Sequence, residues 1–137
     1  MKADLDLQTL IDREAIKELT ARYAREVARG NGRGVGALYA EDGRFAAGAL
    51  DYSGRANIQD FLEGVIKPGK NIPLITGHII EIDGCDATCF SIMYTPWYRD
   101  ETPGFCGEYK DKLRKVGGQW YFLERDFTFY KGRPGDV

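Results

Sequence analysis

Histidine occurs once in this 137-residue sequence, as His78, so a histidine-rich metal site cannot be built. Cysteine is nearly as scarce. Cys85, Cys89 and Cys106 are odd in number and contain no CxxC pair, so a disulfide framework is not expected and reduced thiols in the cytoplasm are. Neither sign of charge is in excess, with 19 Lys and Arg against 21 Asp and Glu and a net charge of -2. That balance supplies no field for nucleic acid or an anionic membrane, and neither is expected as a partner. No run approaches the roughly 20 apolar residues of a membrane span, and the opening MKADLDLQTL lacks the apolar centre of a secretory signal. GxGxxG, GxxxxGK[ST] and GxSxG are absent, so phosphate-cradling loops and a nucleophile elbow are not expected. No cofactor and no metal are expected. The glycine-rich GNGRGVG follows a helical pattern instead of a strand, and it is expected to be a loop.

What is present is core-forming material: 43% of residues are hydrophobic and 12% aromatic, enough for one domain over residues 1–137. Leu10, Ile16, Leu19, Tyr23 and Val27 recur at helical spacing before Gly30. A short second helix is expected around Val35, Leu38 and Tyr39, and a strand from Arg44 to Ala49. A third helix is expected over Arg55 to Ile66, burying Ile58, Phe61, Leu62, Val65 and Ile66. From residue 72 the period turns strand-like in ITGHIIEID, DATCFSIMYTPWYRD, FCGEYKDKLRKV and QWYFLERDFTFY. Runs this closely spaced pair as an antiparallel meander, and helices followed by strands indicate an α+β domain. The tail KGRPGDV is expected to fray.

Alternation by two sharpens the last strands. In FCGEYKDKLRK, Phe105, Tyr109, Asp111 and Leu113 face one way, and Glu108, Lys110, Lys112 and Arg114 face the other. Asp111 is the one carboxylate on an apolar face, so it is either held in a functional cavity or paired with a basic residue on the next strand. Along QWYFLERDFTFY, Tyr121, Leu123, Arg125, Phe127 and Phe129 share one face and Trp120, Phe122, Glu124 and Asp126 the other. Arg125 is the natural partner for Asp111. His78 shares a face with Ile80 and Ile82; it is either a satisfied core residue or a general base. Tyr23 is a candidate phenol donor. Tyr39, Phe45, Phe61, Met93, Trp97, Tyr109, Arg125 and Phe127 are candidate lining residues for a small-molecule cavity.

The order of AIKELTARYAREVARGN, LYAEDGRF, GRANIQDFL, HIIEIDG and GEYKDKLRKVGGQWYFLER resembles the nuclear-transport-factor-2-like superfamily, and within it the SnoaL-like group, over nearly the whole chain. The resemblance implies a cone-shaped α+β barrel, three N-terminal helices on a strongly curved, mostly antiparallel sheet, an apolar pocket and a homodimer through the sheet. It implies proton transfer on a hydrophobic carbonyl, aromatic or polyketide-like compound, of dehydratase, isomerase or cyclase type. By position, Tyr23 and Asp111 match the tyrosine donor and protonated acid of ketosteroid isomerase, in which an apolar site keeps a carboxyl neutral. Ala47 stands where that enzyme has its base. In the dehydratases an aspartate and a histidine would fall at Ala28 and near Pro73, and here His78 lies on the following strand. Arg125 matches an arginine of the dehydrochlorinase-like branch. The same fold also implies an alternative, a non-catalytic binding or dimerisation domain, including a role like that of a ring-hydroxylating dioxygenase β subunit.

Overall fold

The computed structural model describes residues 6–96 and 104–131; Trp97 and the expected frayed tail beyond Lys131 lie outside them. Helix α1, Leu7–Arg29, starts at Asp6, whose side chain accepts from the Thr9 N–H, and stops at Gly30 in a left-handed conformation with φ 75°. Asn31 N–H bonds Glu26 O and Gly30 N–H bonds Val27 O, a Schellman ending. Ile16, Leu19, Tyr23 and Val27 are buried as the periodicity requires, whereas Leu10 lies exposed one turn from the start.

GNGRGVG is not a loop. Asn31 caps a short helix α2, Gly32–Gly36, by accepting from Gly34 N–H. Its glycines serve contact with the next helix, because a Cβ on Gly32 would sit 2.5 Å from the Leu62 carbonyl carbon and 2.6 Å from Glu63 Cα. Tyr39 leaves that helix and opens strand β1, Tyr39–Ala47, which turns into β2, Leu50–Ser53. Helix α3, Arg55–Val65, buries Ile58 and Leu62, while Val65 faces outward.

The meander follows as β3, Leu74–Asp83, β4, Asp86–Thr95, β5, Phe105–Val116, and β6, Gln119–Lys131. The six strands form one curved sheet in the order β2-β1-β6-β5-β4-β3, antiparallel except where β1 runs parallel to β6. Helices and strands thus form the expected α+β architecture, with the β1–β2 hairpin placed between α2 and α3. Inward positions alternate cleanly along β4: Ala87, Cys89, Ser91, Met93 and Thr95 are buried, and the residues between them are exposed. This concave face packs against the helices and carries the core.

One expected face assignment is overturned. The β5–β6 register steps from Lys112 opposite Glu124 to Leu113 opposite Phe122, so Leu123 is an extra residue in a β-bulge. A bulge resets the alternation. Trp120 and Phe122 therefore lie on the same buried face as Arg125 and Phe127, and Leu123 moves off it.

At one end of the sheet the same strands are tied to α1. Asp12 is 5% exposed and accepts from Trp120 Nε1 and Lys115 Nζ, each at 3.0 Å, and from Gln8 Nε2 at 3.2 Å.

Candidate functional site

The centre of the concave face is an ion pair. Asp111 and Arg125 stand opposite one another on β5 and β6, and both are 0% exposed. Arg125 Nε donates to Asp111 Oδ1 at 2.9 Å and Nη2 to Oδ2 at 3.1 Å, a bidentate fork. Burial pushes the Asp111 carboxyl above its ordinary value, and the guanidinium charge and its hydrogen bonds oppose that rise. Burial works against the Arg125 charge too, yet Asp111 holds the guanidinium above its usual value. Asp111 is thus a counter-ion and not the lone protonated acid that the isomerase resemblance implied.

Aromatic rings enclose that guanidinium. Its Cζ lies 3.5 Å from the Tyr109 ring centroid and 4.3 Å from those of Tyr23 and Phe122. The Tyr23 hydroxyl interacts with those of Tyr39 and Tyr109. No hydrogen bond of normal geometry reaches the Tyr39 hydroxyl among the described residues. Burial raises both Tyr39 and Tyr109 well above the usual phenol value, so each remains a donor.

His78 approaches from β3. Gly77, at φ 68°, takes the left-handed conformation that an L side chain resists, and the β3–β4 register shifts there. The bulge places Gly77 and His78 together opposite Ser91. His78 Nε2 lies 2.8 Å from Thr20 Oγ1 on α1, and Thr20 Oγ1 donates to the Lys17 carbonyl at 2.8 Å. A hydroxyl has one proton, so Thr20 accepts from His78, which assigns Nε2 as the protonated nitrogen and puts the lone pair on Nδ1. Burial, with the positive charges of Lys17 and Arg125, keeps His78 below its ordinary value of 6.5. The imidazole is neutral at pH 7 and can accept a proton.

The other expected lining residues divide. Phe45 sits opposite Arg125, Ala47 opposite Phe127, and Tyr109 opposite both Ser91 and Phe127, all on the concave face. Met93 is buried further along β4. Phe61 stacks on Phe45 but also on Tyr52 at 4.2 Å, and it borders an open groove of about 830 Å³ outside the concave face, with Asp51, Ser53, Asn57 and Asp60. Trp97 is outside the described residues. Cys89 lies opposite Asp111, and burial pushes its thiol up to about 12, which removes it as a nucleophile. Thr20 and Ser91 carried no mark as site residues in the sequence. Gly77, a glycine within a strand pattern, was the available sign of the bulge that presents His78.

A model of the SnoaL-like domain matches residues 8–126. The chain belongs to the SnoaL-like domain family. No curated protein matches this SnoaL-like sequence. Its fold is shared by several solved structures. A variant of Rv3472, a protein of unknown function from Mycobacterium tuberculosis, is 24% identical with a TM-score of 0.82, covering 95% of this chain and 79% of that one. A candidate scytalone dehydratase from Novosphingobium aromaticivorans is 24% identical with a TM-score of 0.76, covering 89% and 86%. A type 2 hexachlorocyclohexane dehydrochlorinase (LinA) is 16% identical with a TM-score of 0.79, covering 92% and 90%. At these identities the likeness is one of fold.

Proposed function

We propose that this SnoaL-like protein is a proton-transfer enzyme that holds a hydrophobic carbonyl or aromatic compound against the concave face. The observation that carries the reading is His78, held at Thr20 on the sheet that also buries the Arg125–Asp111 pair, whose guanidinium charge helps keep the imidazole neutral. His78 Nδ1 takes a proton from carbon, the C–H electron pair becomes a C=C bond, and the carbonyl pair moves to oxygen; return of the proton elsewhere isomerises the compound. Tyr23 and Arg125 supply the positive and hydrogen-bonding surroundings for that oxygen. Asp111 is a positioning residue acting through Arg125.

The test is solvent exchange. A panel of cyclic ketones in deuterium oxide should take up deuterium beside the carbonyl faster with the protein than without it. His78→Gln should lower that rate about 10²-fold or more. The rate should climb with pH through a single ionisation below 6.5, because the acting form is the neutral imidazole. Exchange untouched by His78→Gln, or none above background, would reject the catalytic reading.

A second reading, assembly, is favoured by the outer face of β3 and β4. Ile79, Phe90, Ile92 and Tyr94 are 63%, 37%, 46% and 49% exposed there, and Ile79 stands opposite Phe90. A second copy of the chain seated on that face forms a homodimer. Sedimentation should then give a dimer for the native protein and a monomer after Ile79→Lys with Ile92→Lys; a native monomer would exclude it.

A further inference from the structure

An uninterrupted ladder between β3 and β4 would send His78 to the outer side of the sheet. Thr76 stands opposite Ile92, which is 46% exposed on that outer face. Counted evenly from there, His78 would fall opposite Phe90, on the outer face as well. The observed register instead sets Ile79 opposite Phe90, so one residue is inserted between Thr76 and Ile79. His78 thereby comes into step with Ile80, which is buried opposite Cys89, and its ring meets α1.

Gly77 makes the insertion possible. Its φ of 68° is left-handed, a conformation that side chains resist. Space is not the reason for a glycine here. A Cβ would lie 3.6 and 3.8 Å from two atoms of the Ile92 side chain, an ordinary contact. The position needs a conformation, and the conformation serves the bulge.

On the other side, Thr20 is prepared to receive the ring. Its side chain bonds back to its own helix, with Oγ1 donating to the Lys17 carbonyl at 2.8 Å. The oxygen that faces His78 Nε2 at 2.8 Å therefore has only lone pairs to offer. The ring nitrogen that carries hydrogen is set by the bond the ring makes, and here that bond requires Nε2–H. An imidazolium also keeps Nε2–H, so the same bond survives when Nδ1 gains a proton. Neither group has to turn.

We propose that Gly77 and Thr20 are the positioning residues of the candidate base. The bulge turns His78 toward α1, and Thr20 holds its ring with Nε2 protonated in both charge states, which confines proton gain and loss to Nδ1. Their role in turnover rests on the proton-transfer reading; the lock on the ring does not.

Nuclear magnetic resonance of the nitrogen-labelled protein, made without a histidine tag, tests the lock. His78 is the sole histidine, so its ring nitrogens give one pair of signals, and their couplings to the ring protons show which nitrogen carries hydrogen. Above pH 7 the native protein should show the Nε2–H ring with its two signals far apart. Thr20→Val keeps the shape and loses the hydroxyl; it should draw the signals together as the Nδ1–H form appears, and Thr20→Ser should restore them. Gly77→Ala should act like Thr20→Val, whereas Gly77→Asn, which tolerates a positive φ, should keep the native pattern. If Gly77→Ala does not fold, Gly77→Asn and the Thr20 pair still decide. In the ketone exchange assay Thr20→Val should be slower by about tenfold, with Thr20→Ser close to native. An Nδ1–H ring in the native protein, signals unmoved by Thr20→Val, or a Gly77→Asn spectrum unlike the native one would overturn the proposal. Expected spectra without exchange above background would reject catalysis and leave the lock standing. Exchange that depends on His78 in a protein whose spectra ignore Thr20 would do the reverse.

Discussion

Asp111→Ala should destabilise the protein by about 3–5 kcal/mol, more than the double change Asp111→Ala with Arg125→Met. The single change leaves a guanidinium with no counter-ion in a place where both partners are 0% exposed. Three aromatic faces attract that cation, yet a ring quadrupole contributes only about 2 kcal/mol when desolvated, too little to replace a bidentate carboxylate. Methionine at position 125 removes the charge and keeps most of the apolar stem, so the double variant retains packing against Tyr109 and Phe122. Urea titrations of the four members of the cycle measure the coupling. Equal losses for the single and double variants would show that the two groups do not depend on one another.

The second large effect is expected at the other end of the sheet. Asp12→Ala should cost about 1–3 kcal/mol, because it strands the buried Trp120 N–H and the Lys115 ammonium. The variant should also change the pH dependence. Burial pushes the Asp12 carboxyl up, but hydrogen bonds from Trp120, Lys115 and Gln8 outweigh it and leave the value below 3.8. A carboxyl whose folded value is depressed contributes stability that is complete above 3.8 and is lost as pH falls through the folded value. The native protein should therefore lose stability on that acid limb more steeply than Asp12→Ala. Denaturant midpoints measured from pH 5 downward check this, and parallel profiles would contradict the bond network. The conservative Trp120→Phe, which removes one donor and spares the charge, should lie between the two.

Much of this arrangement was legible in the residues. Alternation offered the Asp111–Arg125 pair as one of two readings, because a carboxylate and a guanidinium each stood on an apolar face of consecutive strands, and the bidentate geometry supplies the choice. The start and stop of α1 followed from Asp6 and Gly30, whose side chain and conformation do local work. The misplaced pieces were those decided by distant contacts. Counting by two along β6 presumes an unbroken ladder, and the extra residue at Leu123 has no composition of its own to betray it. Helix α2 was expected a few residues too late, around Val35, Leu38 and Tyr39, because the glycines of Gly32–Gly36 disfavour a helix in isolation and fold against the backbone of α3. The Thr20–His78 bond joins residues 58 positions apart, and nothing local to either one specifies the other.

The strand order also constrains how the protein comes into being on the ribosome. β6 lies between β1 and β5, so within the sheet of the described residues it bridges the β1–β2 hairpin and the meander, yet it comes after the other five strands in chain order. Until it emerges, β1 has no parallel neighbour, Asp111 has no counter-ion and Asp12 has no indole to hold. Closure of the sheet is thus a late, long-range event, the kind that slows folding and prolongs exposure of sticky intermediates. The strand that supplies the arginine at the heart of the concave face is also the keystone whose arrival turns two half-built pieces into one molecule.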